Sequence, residues 1–240
     1  VTIAAVPTLA RDKLYVEDCF DVFPLIEPES VRLVMGDPPY EVSRPNNLTT
    51  MGRTGIDFDW DKNFDQVGWL PPAADLLVPG GSIVVWNDWK KLGLVAEALT
   101  ALGFDVKRKL MWIKTNPMPR NKERSFTQAH EDALWAVKKA PGKRGKWVFN
   151  RRFGKGSENG VFHYPVVRTK KGVKRHPAAK PPALFREIFE ILTNPGDLIV
   201  DPFAGDCPTA KAARDCGRRF ICIEQDIQWV KTAPCSIANV

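Results

Sequence analysis

Two short segments carry residue types that could do chemistry together. Asp37-Pro38-Pro39-Tyr40 directly follows the apolar run VRLVMG. Two consecutive prolines fix φ and remove two backbone donors. The loop therefore holds an acid and a carbonyl stiffly at its start and an aromatic at its end. Asp201-Pro202-Phe203-Ala204-Gly205 follows the apolar run DLIVD and precedes helical residues from about Thr209 to Asp215. A strand, a glycine-containing turn and a helix N-terminus form a cradle for a nucleotide-like cofactor. The next apolar run, RFICIE, ends in Glu224. An acid at the end of the second strand of such a unit suits hydrogen bonds to ribose hydroxyls. A rigid strand exit is the alternative reading of the first segment, and a one-glycine turn is weak as a signature by itself.

Strand ends must position both segments. Lys13–Asp18, Val31–Gly36, Ser82–Trp86, Asp197–Asp201 and Arg219–Glu224 are short apolar runs bounded by turn residues and read as buried strands. Helical spacing places Leu92, Val95, Leu99 and Leu102 on one face, and Leu184, Phe185, Ile188, Phe189 and Leu192 on another. Strands alternating with helices predict a doubly wound, mostly parallel α/β sheet. Val106–Lys114 and Asp132–Lys138 are expected to form a neighbouring antiparallel pair joined by the NPMPR turn. Residues 41–66 and 141–175 show no clear period. In open sheets of this kind, ligands bind at the carboxyl ends of strands.

The 240 residues are 44% apolar and 26% charged, values that fit one large globular domain or one domain with an insertion. No apolar run is long enough to span a bilayer, and the first residues lack the pattern of a signal peptide. The cytoplasm is the expected location. The five cysteines are odd in number and lack metal-ligand spacing, so free, mostly buried thiols in a reducing compartment are expected and no metal is. Lys plus Arg is 35 against 28 acids. Residues 141–175 hold eleven of the basic residues and one acid, which leaves 24 basic against 27 acidic residues elsewhere. All of the positive excess thus lies in one segment, where Trp147, Phe149, Phe153, Phe162 and Tyr164 are interleaved with the cations. Cations that grip phosphates and aromatics that stack favour a nucleic-acid surface.

Taken together, the two segments resemble those of the DNA amino-methyltransferases that use S-adenosylmethionine. DPPY matches that family's catalytic motif, and DPFAG followed by an acid matches its cofactor motifs. The order, catalytic motif first and cofactor motif last around a basic variable segment, is similar to that of the permuted β group. LYVEDCFDVF, LLVPGGSIVVW, LMWIKTNPMPR with FTQAHEDALWAVK, and His176-Pro177-Ala178-Ala179-Lys180-Pro181 resemble further segments of the group in its expected order. The resemblance implies a seven-stranded Rossmann-like methyltransferase sheet. Residues 1–140 would be its catalytic part, 141–175 a target-recognition segment, and 176–240 the cofactor-binding part. It also implies catalytic roles for Asp37, Pro38, Pro39 and Tyr40. Cofactor contacts would come from Asp18, Cys19, Asp37, Lys180, Asp201, Pro202, Phe203, Ala204, Gly205, Asp206, Thr209 and Glu224. DNA contacts would come from Arg144, Lys146, Arg151, Arg152, Lys155, Arg168, Lys170 and Lys171.

What the resemblance implies is methyl transfer from S-adenosylmethionine, leaving S-adenosylhomocysteine, to the N6 amine of an adenine flipped out of double-stranded DNA. Residues 41–66 are expected to close over the cofactor and the flipped base. Asn116 and His130 either approach DNA or structure the hairpin. DPPY rather than SPP(Y/F) favours adenine over cytosine N4, which stays the alternative, as does an RNA substrate. One departure matters. The family's DPFxGSGTT is replaced at its end by Asp206-Cys207-Pro208-Thr209, which removes a glycine and its freedom for positive φ. A catalytically impaired DNA-binding relative is therefore a further alternative. Homodimers are common in the group, and a cognate restriction endonuclease is a possible partner.

Overall fold

A computed structural model describes residues 9–41, 62–117, 123–124, 126–140, 147–151, 158–167, 178–230 and 237–238. The first half of the chain gives β1 (Lys13–Tyr15), α1 (Cys19–Val22), β2 (Val31–Gly36), α2 (Leu70–Leu76), β3 (Leu77–Asn87) and α3 (Leu92–Ala101). The hairpin β4 (Phe104–Lys114) and β5 (His130–Lys138) follows, then β6 (Val161–Tyr164) and α4 (Pro182–Leu192). The last part gives β7 (Leu198–Asp201), α5 (Pro208–Asp215), β8 (Arg219–Ile223), α6 (Ile227–Val230) and β9 (Ile237–Ala238).

Among the described residues, one nine-stranded sheet runs in the order β6-β4-β5-β3-β2-β7-β8-β1-β9. Its seven central strands are those the sequence predicts, with β5 antiparallel to both β3 and β4. The two strands beyond that number, β6 and β9, are short edge strands of four and two residues. Runs that short show no period. Chain direction across the sheet reverses between β2 and β7, which pair in parallel through Leu33 with Ile199 and Val34 with Val200. From β2 the chain moves outward to β3, and from β7 it moves outward the other way to β8. The carboxyl ends of β2 and β7 therefore flank the crevice of a topological switch point, where open sheets bind ligands.

Alternating side chains feed two cores. Leu33, Met35, Val84 and Trp86 pack under α4 and α5, while Val34, Ile83 and Val85 pack under α1, α2 and α3. The whole predicted stripe of α4 is buried, worth about 1.5–3 kcal/mol per side chain. On α3, Leu92, Val95 and Leu99 are buried, but Leu102 follows the helix and is 37% exposed.

Where it is described, the basic segment packs onto the sheet. Phe162 is buried, Phe149 stacks on Trp135 with centroids 5.5 Å apart, and the Trp112 indole donates to the Tyr164 carbonyl at 2.9 Å. Tyr164 donates its hydroxyl to Glu187 on α4. Trp147 lies under the Lys107 ammonium, 3.8 Å from its ring centroid. Phe162 and Tyr164 are thus engaged with the protein itself and depart from the expected stacking surface, whereas Trp147 and Phe149 remain 41% and 39% exposed. Phe153 lies outside the described residues. Among the described residues no helix is long and apolar enough to cross a membrane.

Candidate active site

β2 delivers Asp37 to the sheet's carboxyl edge, and Gly36 is the reason it can. A β-carbon at Gly36 would sit 2.4 Å from the Trp69 ring, so only glycine lets the strand end lie against that indole. Trp69 in turn meets Phe203 edge-on at 5.1 Å, and Phe203 meets Phe64 at 5.5 Å. These rings brace the Asp37 corner against the Asp201–Gly205 turn. A polar clamp supports the corner from the other side. Gln66 donates to the Pro39 carbonyl at 2.9 Å, and Asn87 at the end of β3 donates to Gln66 at 2.9 Å.

The Asp37 carboxylate has a partner on each oxygen. Tyr40 donates its hydroxyl to Oδ1 at 2.5 Å, and the Lys180 ammonium donates to Oδ2. Lys180 also donates to the Tyr40 oxygen at 2.9 Å and lies 3.3 Å from Glu131 on β5. Lys114, at the end of β4, pairs with the other oxygen of Glu131 at 2.8 Å. Burial pushes the Asp37 carboxyl above its usual range, against the pull of Lys180. Burial acts the same way on Glu131, but there Lys180 and Lys114 prevail and its carboxyl is held below the usual range. Burial disfavours the Lys180 charge, and Asp37 and Glu131 outweigh it, so that ammonium stays protonated. Burial, followed by the Asp37 charge, pushes the Tyr40 phenol well up.

The second corner is built from backbone. Asp201 accepts from the Phe203 amide at 3.1 Å and from the Thr209 hydroxyl at 2.5 Å, which ties the strand end to the first turn of α5. Burial pushes its carboxyl up to about 7. Gly205 has φ +54 and donates its amide to Glu224 at 2.8 Å, while the other Glu224 oxygen accepts from the Asp226 amide at 2.8 Å. Burial raises the Glu224 carboxyl too. Cys207 occupies the lost-glycine position with φ +59 and ψ +51. The left-handed conformation is thus kept by a residue with a β-carbon, at a cost of about 1–2 kcal/mol. Its side chain is fully buried in the core under α4 and α5.

Both corners open into one cleft. Asp37, Pro38, Pro39, Tyr40, Asp201, Phe203, Ala204, Gly205 and Asp206 line it, with Ala178–Lys180, Phe185 and Pro208. Pro202, Thr209 and Glu224 are not part of the lining, and Glu224 is bonded to the Gly205 amide. Lys180 lines the cleft, but its ammonium is taken up by Asp37, Tyr40 and Glu131. Asp18 caps α1 by accepting from the Phe20 amide at 2.9 Å, and neither it nor Cys19 lines the cleft. Burial, with Asp18 beside it, pushes the Cys19 thiol up to about 12.

Of the expected DNA contacts, Arg151 is exposed. Arg144, Lys146, Arg152, Lys155, Arg168, Lys170 and Lys171 lie outside the described residues, as do residues 42–61 of the expected closing loop. Asn116 accepts from the Val166 amide at 2.7 Å, which fixes the segment after β6 to the hairpin. His130 is exposed and lies 3.8 Å from Asp132. Sequence reasoning missed Glu131, Lys114, Gln66 and Asn87. The signal that could have found Glu131 is a carboxylate inside the strand HEDALWAVK, next to positions that must be buried.

The arrangement suits S-adenosylmethionine on two structural grounds. The cleft face of the cofactor turn is formed by Phe203, Ala204, Gly205, Asp206 and Pro208; Cys207 at the lost-glycine position is buried away from that lining, while Asp206 and Pro208, which replace the family's Ser and Thr, stay in it. A nearby carboxylate, Glu224, is fixed by two amides at the end of the neighbouring strand, where a ribose would need an acceptor. Among the described residues no group of His, Cys, Asp and Glu is placed to hold a metal ion.

A family described as DNA methylase, of the N6/N4 type, matches residues 31–234. The type II methyltransferase M2.DpnII of Streptococcus pneumoniae is 31% identical over 90% of this chain and 85% of its own length. The type II methyltransferase M.HinfI of Haemophilus influenzae is 29% identical over 90% of this chain, which spans 65% of that longer protein. Among solved structures, the M1.HpyAVI–SAM complex superposes with a TM-score of 0.71 at 31% identity, covering 92% of this chain and 97% of that one. The PvuII cytosine-N4-specific methyltransferase shares the fold at a TM-score of 0.72 and 20% identity, covering 94% of this chain and 86% of that one. With the family matching most of its length and both corners in one cleft, the chain belongs to the N6/N4 DNA methylases, the S-adenosylmethionine-dependent DNA methyltransferases.

Proposed function

We propose that this DNA methyltransferase transfers a methyl group from S-adenosylmethionine to the N6 amine of an adenine flipped out of double-stranded DNA, leaving S-adenosylhomocysteine and releasing the proton that the methylated amine loses. The observation that carries this reading is the Asp37–Tyr40 corner sharing one cleft with the Gly205 turn. An acid at position 37, where the cytosine-N4 motif begins with serine, supports adenine as the target. When bound, S-adenosylmethionine supplies a methyl group made electrophilic by a sulfonium.

An exocyclic amine is a poor nucleophile because its lone pair is delocalised into the ring. Acceptors on its hydrogens favour the tetrahedral geometry in which that lone pair is localised. Asp37 and the Pro38 carbonyl provide two acceptors where charge develops, an electrostatic form of catalysis. As Tyr40 turns to stack on the base, its hydroxyl leaves Oδ1, and that oxygen becomes available to the amine. Lys180 stays on Oδ2 and opposes the effect of burial on Asp37, favouring its charged form. Pro38 and Pro39 hold the corner so that the transfer depends on position rather than on an enzyme nucleophile. Glu224 and the Gly205 turn would hold the cofactor, whereas Asp18 caps α1 outside the cleft.

Residues 1–140 and 176–240 form one catalytic domain in this reading, and 141–175 reads the target with its Lys and Arg side chains. Double-stranded DNA is the macromolecular partner. A homodimer, a cognate restriction endonuclease and a cytoplasmic location belong to the same proposal. Nucleosides from DNA incubated with the protein and S-adenosylmethionine, analysed by mass spectrometry, are expected to contain N6-methyladenine. N4-methylcytosine in its place would overturn the choice of base. Absence of S-adenosylmethionine binding in a calorimetric titration, with DNA binding intact, would overturn the enzyme reading altogether.

A further inference from the structure

Lys180 is 2% exposed, and a buried ammonium is costly unless paired. One carboxylate, Asp37, would satisfy that need. The chain supplies a second, Glu131, 3.3 Å from the same nitrogen, and anchors it with Lys114 at 2.8 Å. The backbones of these residues lie on independent supports. Asp37 directly follows β2, Glu131 is the second residue of β5, Lys114 ends β4, and Lys180 sits in the loop entering α4. Four charges from four elements thus form an overall neutral cluster in which Asp37 and Lys180 line the cleft and Glu131 and Lys114 do not.

We infer that Glu131 is a positioning residue for methyl transfer: it draws the Lys180 ammonium to the rear of Asp37, leaving Oδ1 a strong acceptor for the target amine. This inference rests on the reading of Asp37 given above. With Asp37 as its only anion, the ammonium would be free to centre on both carboxylate oxygens. It would then crowd the oxygen Tyr40 now occupies and blunt its negative charge. Glu131 divides that attraction and fixes its direction, and Lys114 keeps Glu131 from turning away.

The groups facing Asp37 are Lys180 and Tyr40 at contact, Glu131 behind Lys180, and Asp201 on β7. Asp88, after β3, acts on Tyr40. Glu131 is the carboxylate among these whose charge raises Asp37's proton affinity. Neutralising it also hands Lys180 wholly to Asp37. Both changes lower the pH at which Asp37 ionises.

The test compares wild type with Glu131→Gln and Lys114→Met in full-length protein, by kcat against pH, S-adenosylmethionine affinity by calorimetry, and Tm. The expected result for Glu131→Gln is a kcat lower by on the order of 10–100-fold, an acid limb displaced to lower pH, and cofactor affinity close to wild type. Lys114→Met is expected to lower kcat in the same direction by a smaller factor, which covers the case in which Glu131→Gln does not fold. Wild-type kcat and an unmoved acid limb in a folded Glu131→Gln would overturn the inference. So would a kcat loss tracked by equal losses of Tm and cofactor affinity in both variants. Absence of transfer by the wild type would strike the functional reading instead.

Discussion

The Asp201 carboxylate is held by two neutral donors, the Thr209 hydroxyl and the Phe203 amide, while burial pushes it from 3.8 up to about 7. The native state binds this proton more tightly than the unfolded chain. Its contribution to stability is therefore complete below about pH 4, declines as pH rises, and is gone above about 7. The Tm advantage of wild type over Asp201→Asn is expected to shrink across that window, read by thermal melts from pH 4 to 8. A constant difference would contradict the burial argument. Asp37, Asp201, Gly205 and Glu224 were all legible in the sequence because each follows or ends an apolar run that fixes where the sheet edge must be. Glu131 was not, since its role depends on a lysine that only the fold brings beside it. Cys207 was legible in part: the lost glycine is visible and buried thiols are expected, but the left-handed backbone that Cys207 keeps is not encoded in its residue type.

β2 ends against a tryptophan that leaves no room for a β-carbon at Gly36. Gly36→Ala must shift the Trp69 ring or the strand end, and overpacking of this kind costs about 1–3 kcal/mol. The expected outcome is a lower urea midpoint together with reduced methyl transfer, because Asp37 is the next residue. An unchanged midpoint would mean that the ring has room to move. The central strands were readable from their apolar runs, as were the stripes of α3 and α4. β6 was not, because it is four residues in a segment whose composition is dominated by charge. Its assignment comes from parallel pairing with β4, through Met111 with Val161 to Lys114 with Tyr164, an interaction that no local pattern encodes. The same pairing explains why aromatics suited in type to base stacking are turned to packing instead.

Taken as a unit, the chain carries +7, and residues 141–175 supply all of the excess. Binding to DNA through that segment is expected to weaken steeply with salt, with a slope in log K against log salt of about 0.9 per phosphate neutralised. Replacing Arg168, Lys170 and Lys171 with Gln should flatten that slope by up to about 2.7, measured by fluorescence anisotropy. A slope unchanged in the variant would remove these residues from the DNA contact. Charge distribution made the partner legible, whereas which side chain meets which phosphate depends on geometry that composition does not hold. The topology, in contrast, was implied by motif order: a catalytic corner early in the chain and a cofactor turn late in it meet only if β2 and β7 are neighbours, and they are. The most direct test of that meeting is Asp37→Ala, assayed for methyl transfer and for S-adenosylmethionine binding in the same preparation. The account predicts transfer reduced by about 100–1,000-fold with cofactor binding largely kept; turnover equal to wild type would contradict it.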